Sequence, residues 1–291
     1  MKAAVVQINS TGDRDRNLEV AGDQVAAAAA AGADLVVLPE KWPLLSTGDA
    51  LLAGAEPIDG PAITAARGWA LEFGIHLLAG SFTEAGGEGE LPTNSSPLIS
   101  PEGELLALYR KIHMFDVEAG GVTYRESAFE AAGDRLVVAE LPEATAGGAG
   151  LGLTICYDLR FPELYRALLD LGASLFAAPS AFTTATGRDH WDVLVRARAI
   201  ENQAFVLAAN QVGRAAPELD SWGHSMIVDP WGTVRAEVEQ GEGFAVAEID
   251  FDLQAGIRER LPALEHRRPA LYGPSRSGDR SDGSGGGSDG P

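Results

Sequence analysis

The 291-residue sequence has little cysteine, little lysine and no long apolar run. Its single cysteine, Cys156, excludes an intrachain disulfide framework and a cysteine-rich zinc module. The only lysines are Lys2, Lys41 and Lys111, and 22 basic side chains stand against 42 acidic ones, which gives a formal net charge of -20. Because nucleic acids and anionic membranes bind clusters of basic side chains, we expect neither as a partner.

No segment has the length and hydrophobicity of a membrane span or a secretory signal. The alanine run 26–31 is flanked by Asp23 and Asp34, whereas a spanning helix needs ~20 apolar residues. The apolar run 3–8 gives way to polar residues at Asn9, which favours a buried strand over a signal segment. We therefore expect a cytoplasmic protein, with a core drawn from its 45% hydrophobic residues.

Strand-like apolar runs alternate with segments of helical period. Strands are predicted at 3–8, 35–38, 76–82, 95–99, 105–109, 151–156, 174–178, 205–210, 224–228 and 244–249, and helices at 17–31, 62–73, 162–171 and 189–203. Strands that are apolar on both faces and alternate with helices indicate a layered α/β fold. Residues 273–291 are rich in Gly, Ser and Asp and predict a disordered tail, which leaves residues 1–272 as one domain.

Cys156 lies at the end of a predicted strand and just before a turn and a helix. Such strand-to-helix corners expose a side chain at the carboxyl edge of a sheet, where α/β proteins keep their sites. A buried structural thiol is the alternative, because free cysteines are among the most buried residues. A nucleophilic cysteine also needs a base and a donor for the developing oxyanion.

Charged residues occupy similar positions elsewhere. Glu40 ends the apolar segment 34–40, where burial would raise its pKa and suit it to general-base work; a solvated loop carboxylate is the alternative. Lys111 closes the segment 105–111 and offers a compact ammonium that can point at one oxygen. Glu126, in the irregular region 117–130, is a further candidate acid.

The order Glu40, Lys111, Cys156 resembles the Glu-Lys-Cys triad of the nitrilase superfamily of carbon–nitrogen hydrolases. The similar motifs include Leu-Val-Val-Leu-Pro-Glu-Lys at 35–41, Tyr-Arg-Lys-Ile-His-Met-Phe-Asp at 109–116 and Gly-Leu-Thr-Ile-Cys-Tyr-Asp-Leu-Arg-Phe-Pro-Glu-Leu at 152–164. Further similar motifs lie at 179–182, 190–191, 196–203, 223–232 and 261–269. Together they resemble the branch that contains deaminated glutathione amidase and omega-amidase.

This resemblance implies a four-layer α-β-β-α sandwich that forms a homodimer. It implies that Glu40 takes the thiol proton as Cys156 attacks an amide carbonyl, and that Lys111 and the backbone N–H of Tyr157 stabilise the oxyanion. Glu126 would orient the lysine or the substrate. A thioester forms and water hydrolyses it, releasing ammonia where the substrate is a primary amide. The scheme includes no metal and no organic cofactor.

The resemblance also implies a small amide substrate that carries a carboxylate. A guanidinium can bind a carboxylate with two hydrogen bonds, so Arg160 is the first candidate for that contact, with Thr184 and His190 in the same pocket. The alternative for Arg160 is an arginine at the protein surface, and the alternative for His190 is a residue packed at the start of a helix. A nitrilase or N-carbamoyl hydrolase with the same triad stays open, as do a cysteine hydrolase with His113 or His224 as base and a non-catalytic binding protein on this fold.

Overall fold

The computed structural model describes residues 1–142 and 146–272, so the predicted tail at 273–291 lies outside the described residues. The helices are α1 (Arg14–Ala30), α2 (Gly48–Ala53), α3 (Pro61–Phe73), α4 (Pro162–Asp170), α5 (Thr184–Asn202), α6 (Phe251–Arg260) and α7 (Pro269–Tyr272), with 3₁₀ helices at Glu126–Ala128 and Cys156–Arg160. No helix in these ranges is long and apolar enough to cross a membrane.

The strands form two large sheets and two small hairpins. They are β1 (Lys2–Gln7), β2 (Leu35–Val37), β3 (His76–Leu78), β4 (Phe82–Glu84), β5 (Thr93–Ile99), β6 (Leu105–Arg110), β7 (Glu118–Ala119), β8 (Val122–Thr123), β9 (Val138–Glu140), β10 (Gly150–Leu153), β11 (Ala173–Ala177), β12 (Phe205–Ala208), β13 (Val212–Ala216), β14 (Leu219–Trp222), β15 (Ser225–Val228), β16 (Val234–Val238) and β17 (Gly243–Glu248). The hairpins pair β7 with β8 and β13 with β14.

The first large sheet has the order β17-β1-β2-β3-β5-β4, with β6 paired to β5. Strands β1, β2 and β3 are parallel, whereas β5 is antiparallel to β3 and β6 is antiparallel to β5. Strand β6 therefore runs in the same direction as β2, and both strands end at the same edge of the sheet. Helices α1 and α3 pack on this sheet.

The second large sheet has the order β16-β15-β12-β11-β10-β9. Its central strands β10, β11 and β12 are parallel, and β9 and β15 flank them in antiparallel pairing. Helix α4 connects β10 to β11 and α5 connects β11 to β12, which is the crossover that parallel neighbours require. Helix α4 packs against β10 and β11, and α5 packs against β12 and β15.

Alternate residues of the first sheet face two different cores. Val6 and Val36 pack with the residues of α1 and α3. Val5 and Leu35 pack with apolar residues of the second sheet. Because side chains alternate along a strand, these sheets are buried on both faces, with helices outside and the sheets face to face. The predicted α-β-β-α sandwich is confirmed.

Local sequence explains where several helices begin and end. Asp13 caps α1, since its carboxylate accepts a hydrogen bond from the backbone N–H of Arg16 at 3.2 Å. Pro61 and Pro162 occupy the first turns of α3 and α4, where a missing N–H costs nothing. Helix α3 ends at Gly74, which has a φ of +63°.

Some predicted boundaries were wrong. The single strand predicted over 76–82 is two strands, because the chain turns at Gly80 with a φ of +47°. A Cβ at Gly80 would collide with the carbonyl oxygen of Pro39, so this turn requires glycine. Helix α5 begins at Thr184, five residues before its predicted start. The elements α2, β7, β8, β9, β13, β14, β16, α6 and α7 were not predicted.

Candidate active site

Loops from both sheets meet at one place, and each carries a predicted catalytic residue. Glu40 follows the end of β2 by three residues, and Lys111 directly follows β6. Cys156 follows the end of β10, a central parallel strand of the other sheet. Because β2 and β6 run in the same direction, the topology alone brings Glu40 and Lys111 to one edge. The face-to-face packing of the sheets then brings Cys156 to them.

Cys156 is the first residue of the 3₁₀ helix that follows β10, and its backbone is strained. Its φ of +46° is left-handed, a conformation that costs a non-glycine residue roughly 1–2 kcal/mol. The turn is held in part by a hydrogen bond from the N–H of Cys156 to the carbonyl of Pro179 at 2.8 Å. The N–H of Tyr157 belongs to the first turn of the 3₁₀ helix, where N–H groups lack a carbonyl partner within the helix.

A buried carboxylate, Asp158, fixes this turn. Its Oδ2 accepts hydrogen bonds from the hydroxyl of Tyr109 at 2.7 Å and from the N–H of Ile155 at 2.8 Å. Its Oδ1 lies 2.7 Å from Nδ1 of His113. Burial and the nearby Asp158 raise the pKa of Tyr109, so its hydroxyl remains a donor. Because Tyr109 is in β6, Asp158 links the turn of the nucleophile to the strand that carries Lys111.

The Glu40 carboxylate is held by three donors. Its Oε1 accepts hydrogen bonds from Asn94 Nδ2 at 2.8 Å and from Lys111 Nζ at 3.1 Å, and its Oε2 accepts one from the N–H of Ala181 at 2.8 Å. Burial and then the charge of Glu40 raise the pKa of the Cys156 thiol well above its ordinary value, although Lys111 acts to lower it. The resting nucleophile is therefore a neutral thiol beside a fixed carboxylate.

Lys111 is a buried ammonium between two carboxylates. Its Nζ lies 2.8 and 2.9 Å from the two carboxylate oxygens of Glu126, besides its contact with Glu40. Burial lowers the pKa of Lys111, but the charges of Glu126 and Glu40 outweigh burial and hold that pKa well above its usual value. Burial raises the pKa of Glu126, but Lys111, Lys41 and the N–H of Phe115 together more than reverse this effect. Lys111 is thus a permanent cation next to Cys156.

The three residues open on a cavity of about 280 Å³. This volume is near the lower end of those found for small-molecule sites. The cavity has an aromatic wall, formed by Phe115, Tyr124, Phe129, Tyr157 and Phe182. Its size suits a small molecule rather than a folded protein.

Arg160 lines the same cavity and adds a positive charge to it. Its guanidinium carbon lies 4.9 Å from the ring centroid of Phe182, and its Nη1 lies 3.2 Å from His190 Nδ1. Within residues 1–142 and 146–272, no carboxylate forms an ion pair with it. Its charge is therefore available to an anionic ligand.

Two predicted pocket residues, Thr184 and His190, are not brought to the cavity lining. Thr183 and Thr186 line the cavity instead, and residues three apart at a helix start share one face. His190 is exposed on α5, and its contact with the site is through Arg160. The physical reason is helical geometry, since Thr184 and His190 do not lie on the face of the first turn of α5 that Thr183 and Thr186 present to the cavity.

The histidines considered as bases for Cys156 have other partners. His113 contacts Asp158 and stacks on Phe161, with ring centroids 3.6 Å apart. His224 Nδ1 lies 2.6 Å from Glu237 Oε1. Neither histidine lines the cavity. Across the described part of the chain, no group of three or more His, Cys, Asp or Glu could hold a metal ion.

Sequence reasoning missed the buried amide of Asn94. Its Nδ2 lies 2.8 Å from Glu40 Oε1 and 3.5 Å from Glu126 Oε1, so it joins two carboxylates of the site. The available signal was the polar run 93–96 inside a strand whose residues are almost all buried. Buried polar groups must be hydrogen-bonded, and such a run indicates a polar network.

Fold and site together define a class of enzyme: a cysteine hydrolase with a carboxylate base and a lysine ammonium, built on an α-β-β-α sandwich. The profile of the carbon-nitrogen hydrolase family matches residues 2–259. The chain belongs to the carbon–nitrogen hydrolase family, in the nitrilase superfamily.

Individual relatives agree with this assignment. The chain is 42% identical over 275 residues to the deaminated glutathione amidase of Mus musculus, which covers 93% of this chain and 84% of that protein. It superposes on Saccharomyces cerevisiae Nit3, a member of branch 10 of the nitrilase superfamily, with a TM-score of 0.82, 30% identity and coverage of 92% and 96% of the two chains. The predicted superfamily, fold and enzyme class are confirmed.

A further solved structure shows the chemistry of such a cysteine. It is a glutamate-to-glutamine variant of an amidase from Nesterenkonia sp. AN1, with acrylamide added to its active-site cysteine by Michael addition. That structure matches with a TM-score of 0.76 and 28% identity, covering 94% of this chain and 98% of that one.

Proposed function

We propose that the protein is an amidase for a small, carboxylate-bearing amide, with deaminated glutathione as the first substrate to test. The observation that carries the proposal is the Cys156 thiol beside the fixed carboxylate of Glu40, in a cavity that Arg160 also lines. The similarity to mouse deaminated glutathione amidase supports this choice of substrate.

Acylation begins with proton transfer from the Cys156 thiol to Glu40, because the raised pKa of the thiol keeps it protonated at rest. The sulfur attacks the amide carbonyl carbon and a tetrahedral oxyanion forms. Lys111 and the N–H of Tyr157 donate hydrogen bonds to that oxygen. The C–N bond then breaks, and Glu40 returns its proton to the leaving nitrogen, which leaves a thioester on Cys156.

Deacylation repeats these roles with water as the nucleophile. Glu40 takes a proton from water, the resulting oxygen attacks the thioester carbonyl, and the C–S bond breaks. The thiolate of Cys156 takes up the proton and the carboxylic acid leaves. Glu126 keeps Lys111 in place through both halves of the reaction, and no step requires a metal or an organic cofactor.

Arg160 is the proposed contact for the substrate's carboxylate. A guanidinium forms two parallel hydrogen bonds with a carboxylate, and within the described residues no protein carboxylate forms an ion pair with Arg160. We expect Arg160→Met to raise KM by roughly 10- to 100-fold, the loss of one charge-assisted contact of about 1.5–3 kcal/mol. Arg160→Lys keeps the charge without the planar fork and should recover part of the loss. An unchanged KM in Arg160→Met would remove Arg160 from the site.

A ranked substrate panel tests the proposal. The panel comprises deaminated glutathione, 2-oxoglutaramate, an N-carbamoyl amino acid and an aliphatic nitrile, with release of amine or ammonia as the readout. We expect the highest kcat/KM for deaminated glutathione. A highest value for the carbamoyl compound or the nitrile favours the other reactions of the same triad. No turnover of any compound by protein with a titratable thiol favours a non-catalytic binding protein.

We propose that residues 1–272 form a single carbon–nitrogen hydrolase domain and that two copies of the chain form a homodimer. Supporting features are the exposed apolar side chains of Val193 and Ile200 on α5, and of Trp231 in the loop beside Ile200. Exposed apolar side chains of this kind suit contact with a second copy. Light scattering after size-exclusion chromatography tests it, with Ile200→Glu expected to yield monomer. The proposed compartment is the cytoplasm, where a catalytic thiol stays reduced.

A further inference from the structure

A second buried ion pair lies beside the catalytic residues and has no part in the steps above. Lys41 Nζ lies 2.6 Å from Glu130 Oε2, and the two side chains are 8% and 0% exposed. Both residues line the cavity that contains Cys156. Removing two charges from water is expensive, so a buried ion pair is weak evidence for a role in stability alone.

The Lys41 end of the pair is fixed to the catalytic carboxylate. Lys41 directly follows Glu40 and has a left-handed φ of +52°, a conformation that costs a lysine free energy. Its backbone N–H donates to Ser81 Oγ at 3.0 Å. The strained backbone therefore directs Glu40 towards Cys156 and the next side chain, Lys41, towards Glu130.

The Glu130 end of the pair is fixed to the segment that carries Glu126. The N–H of Glu130 donates to the carbonyl of Glu126 at 3.0 Å, and Glu130 Oε1 accepts a hydrogen bond from Thr83 Oγ1 at 3.3 Å. This segment contains only a three-residue 3₁₀ helix, so side-chain contacts have to hold it in place. The Lys41–Glu130 bond thus joins the loop of one catalytic carboxylate to the loop of the other.

Lys41 provides positive charge to two neighbouring carboxylates. Burial and the charge of Glu126 raise the pKa of Glu130, although Lys41 acts to lower it. Burial raises the pKa of Glu126, and Lys111 and then Lys41 lower it, so Lys41 is the second cation that keeps Glu126 ionised. An ionised Glu126 is what holds the Lys111 ammonium by two short contacts.

We propose that Lys41 and Glu130 are a positioning pair, which holds the Glu126 segment against Lys111 and so orients the ammonium towards the reacting carbonyl. The inference rests on the proposed function, in which Lys111 acts on the oxyanion. Lys41 acts through Glu126 and touches no reacting atom.

A double-mutant cycle tests the pair. We expect Lys41→Met to lower kcat by about 10-fold with little change in KM, because the loss falls on stabilisation of the transition state. In a Glu126→Gln background, the same substitution should cost less than about twofold, because residues that act through one partner are not additive. Equal losses in both backgrounds, or an unchanged kcat in Lys41→Met, would overturn the proposal.

Matched variants separate positioning from folding. Lys41→Arg keeps the cation and should retain most of the activity. If Lys41→Met does not fold, Glu130→Gln replaces it in the double-mutant cycle with Glu126→Gln. Glu84→Gln is the control, since Glu84 pairs with Arg110 in the same sheet and does not line this cavity. If Glu84→Gln lowers kcat as much as Glu130→Gln does, the effect is general destabilisation, and the proposal is overturned.

Alkylation of Cys156 by acrylamide provides a readout without turnover. Cys156 is the only thiol in the chain, so the alkylation rate reports on it alone. The effects of Lys41→Met and Glu126→Gln on the alkylation rate should also be non-additive, because both substitutions act through the position of Lys111. If the unsubstituted protein hydrolyses no amide, the proposed function fails, but the alkylation rates still test the positioning role of Lys41 and Glu130. Additive effects on the alkylation rate would overturn that positioning role alone.

Discussion

Replacing Asp158 with alanine removes the acceptor for three donors at the turn of the nucleophile. Tyr109 and Ile155 are fully buried, whereas His113 is partly exposed and can turn to water. Each buried donor left without a partner costs about 1–3 kcal/mol, so two of them predict a loss of about 2–6 kcal/mol in the free energy of unfolding. Against a typical total of about 5–15 kcal/mol, this is a large fraction.

Urea unfolding followed by tryptophan fluorescence measures this loss. Asp158→Asn is the matched control, because its amide oxygen still accepts from Tyr109 and Ile155 and should recover more than half of the loss. A loss of less than about 1 kcal/mol in Asp158→Ala, or an equal loss in Asp158→Asn, would contradict this role of the Asp158 hydrogen bonds. The second outcome would mean that the charge of Asp158, rather than its hydrogen bonds, stabilises the turn.

Further predictions concern the base, the thiol and one glycine. Glu40→Gln should lower kcat by about 10²–10⁴-fold, the usual contribution of a positioned base, and an active variant would contradict the role of Glu40. Because burial raises the pKa of Cys156, its alkylation rate in the resting enzyme should rise with pH through the range of an ordinary thiol; a plateau below about pH 8 would indicate a resting thiolate. Gly80→Ala should cost more than about 1–2 kcal/mol in urea unfolding, since its φ is positive and a Cβ would collide with Pro39; a neutral effect would show that the turn can relax.

The sequence predicts most of the architecture because the strands of this fold are apolar on both faces. The runs at 35–38, 151–156 and 205–210 became strands with only small changes at their ends. One cysteine and three lysines leave few candidates for a nucleophile and a buried ammonium, and Glu40, Lys111 and Cys156 lie near strand ends. The resemblance to the nitrilase superfamily then selected these three residues.

What the sequence did not predict depends on contacts between distant segments. Lys41 and Glu130 are 89 positions apart, and nothing local indicates that they form a bond. Asp158 was read as part of a motif, whereas its three hydrogen bonds come from β6, from the loop after it and from the turn itself. Thr184 was predicted to line the pocket, whereas Thr183 and Thr186 line it. The direction of side chains at a helix start depends on local backbone geometry that the sequence does not give.

The central claim is that Cys156 becomes acylated during hydrolysis. The direct measurement is mass spectrometry of enzyme quenched in acid during turnover of deaminated glutathione, with the peptide that contains Cys156 mapped. Because the chain has one cysteine, the modified peptide identifies the nucleophile without ambiguity. We expect an added 2-oxoglutaryl group on Cys156 and no turnover in Cys156→Ala. Turnover that persists in Cys156→Ala, with the thiol of the parent enzyme unmodified throughout, would contradict it.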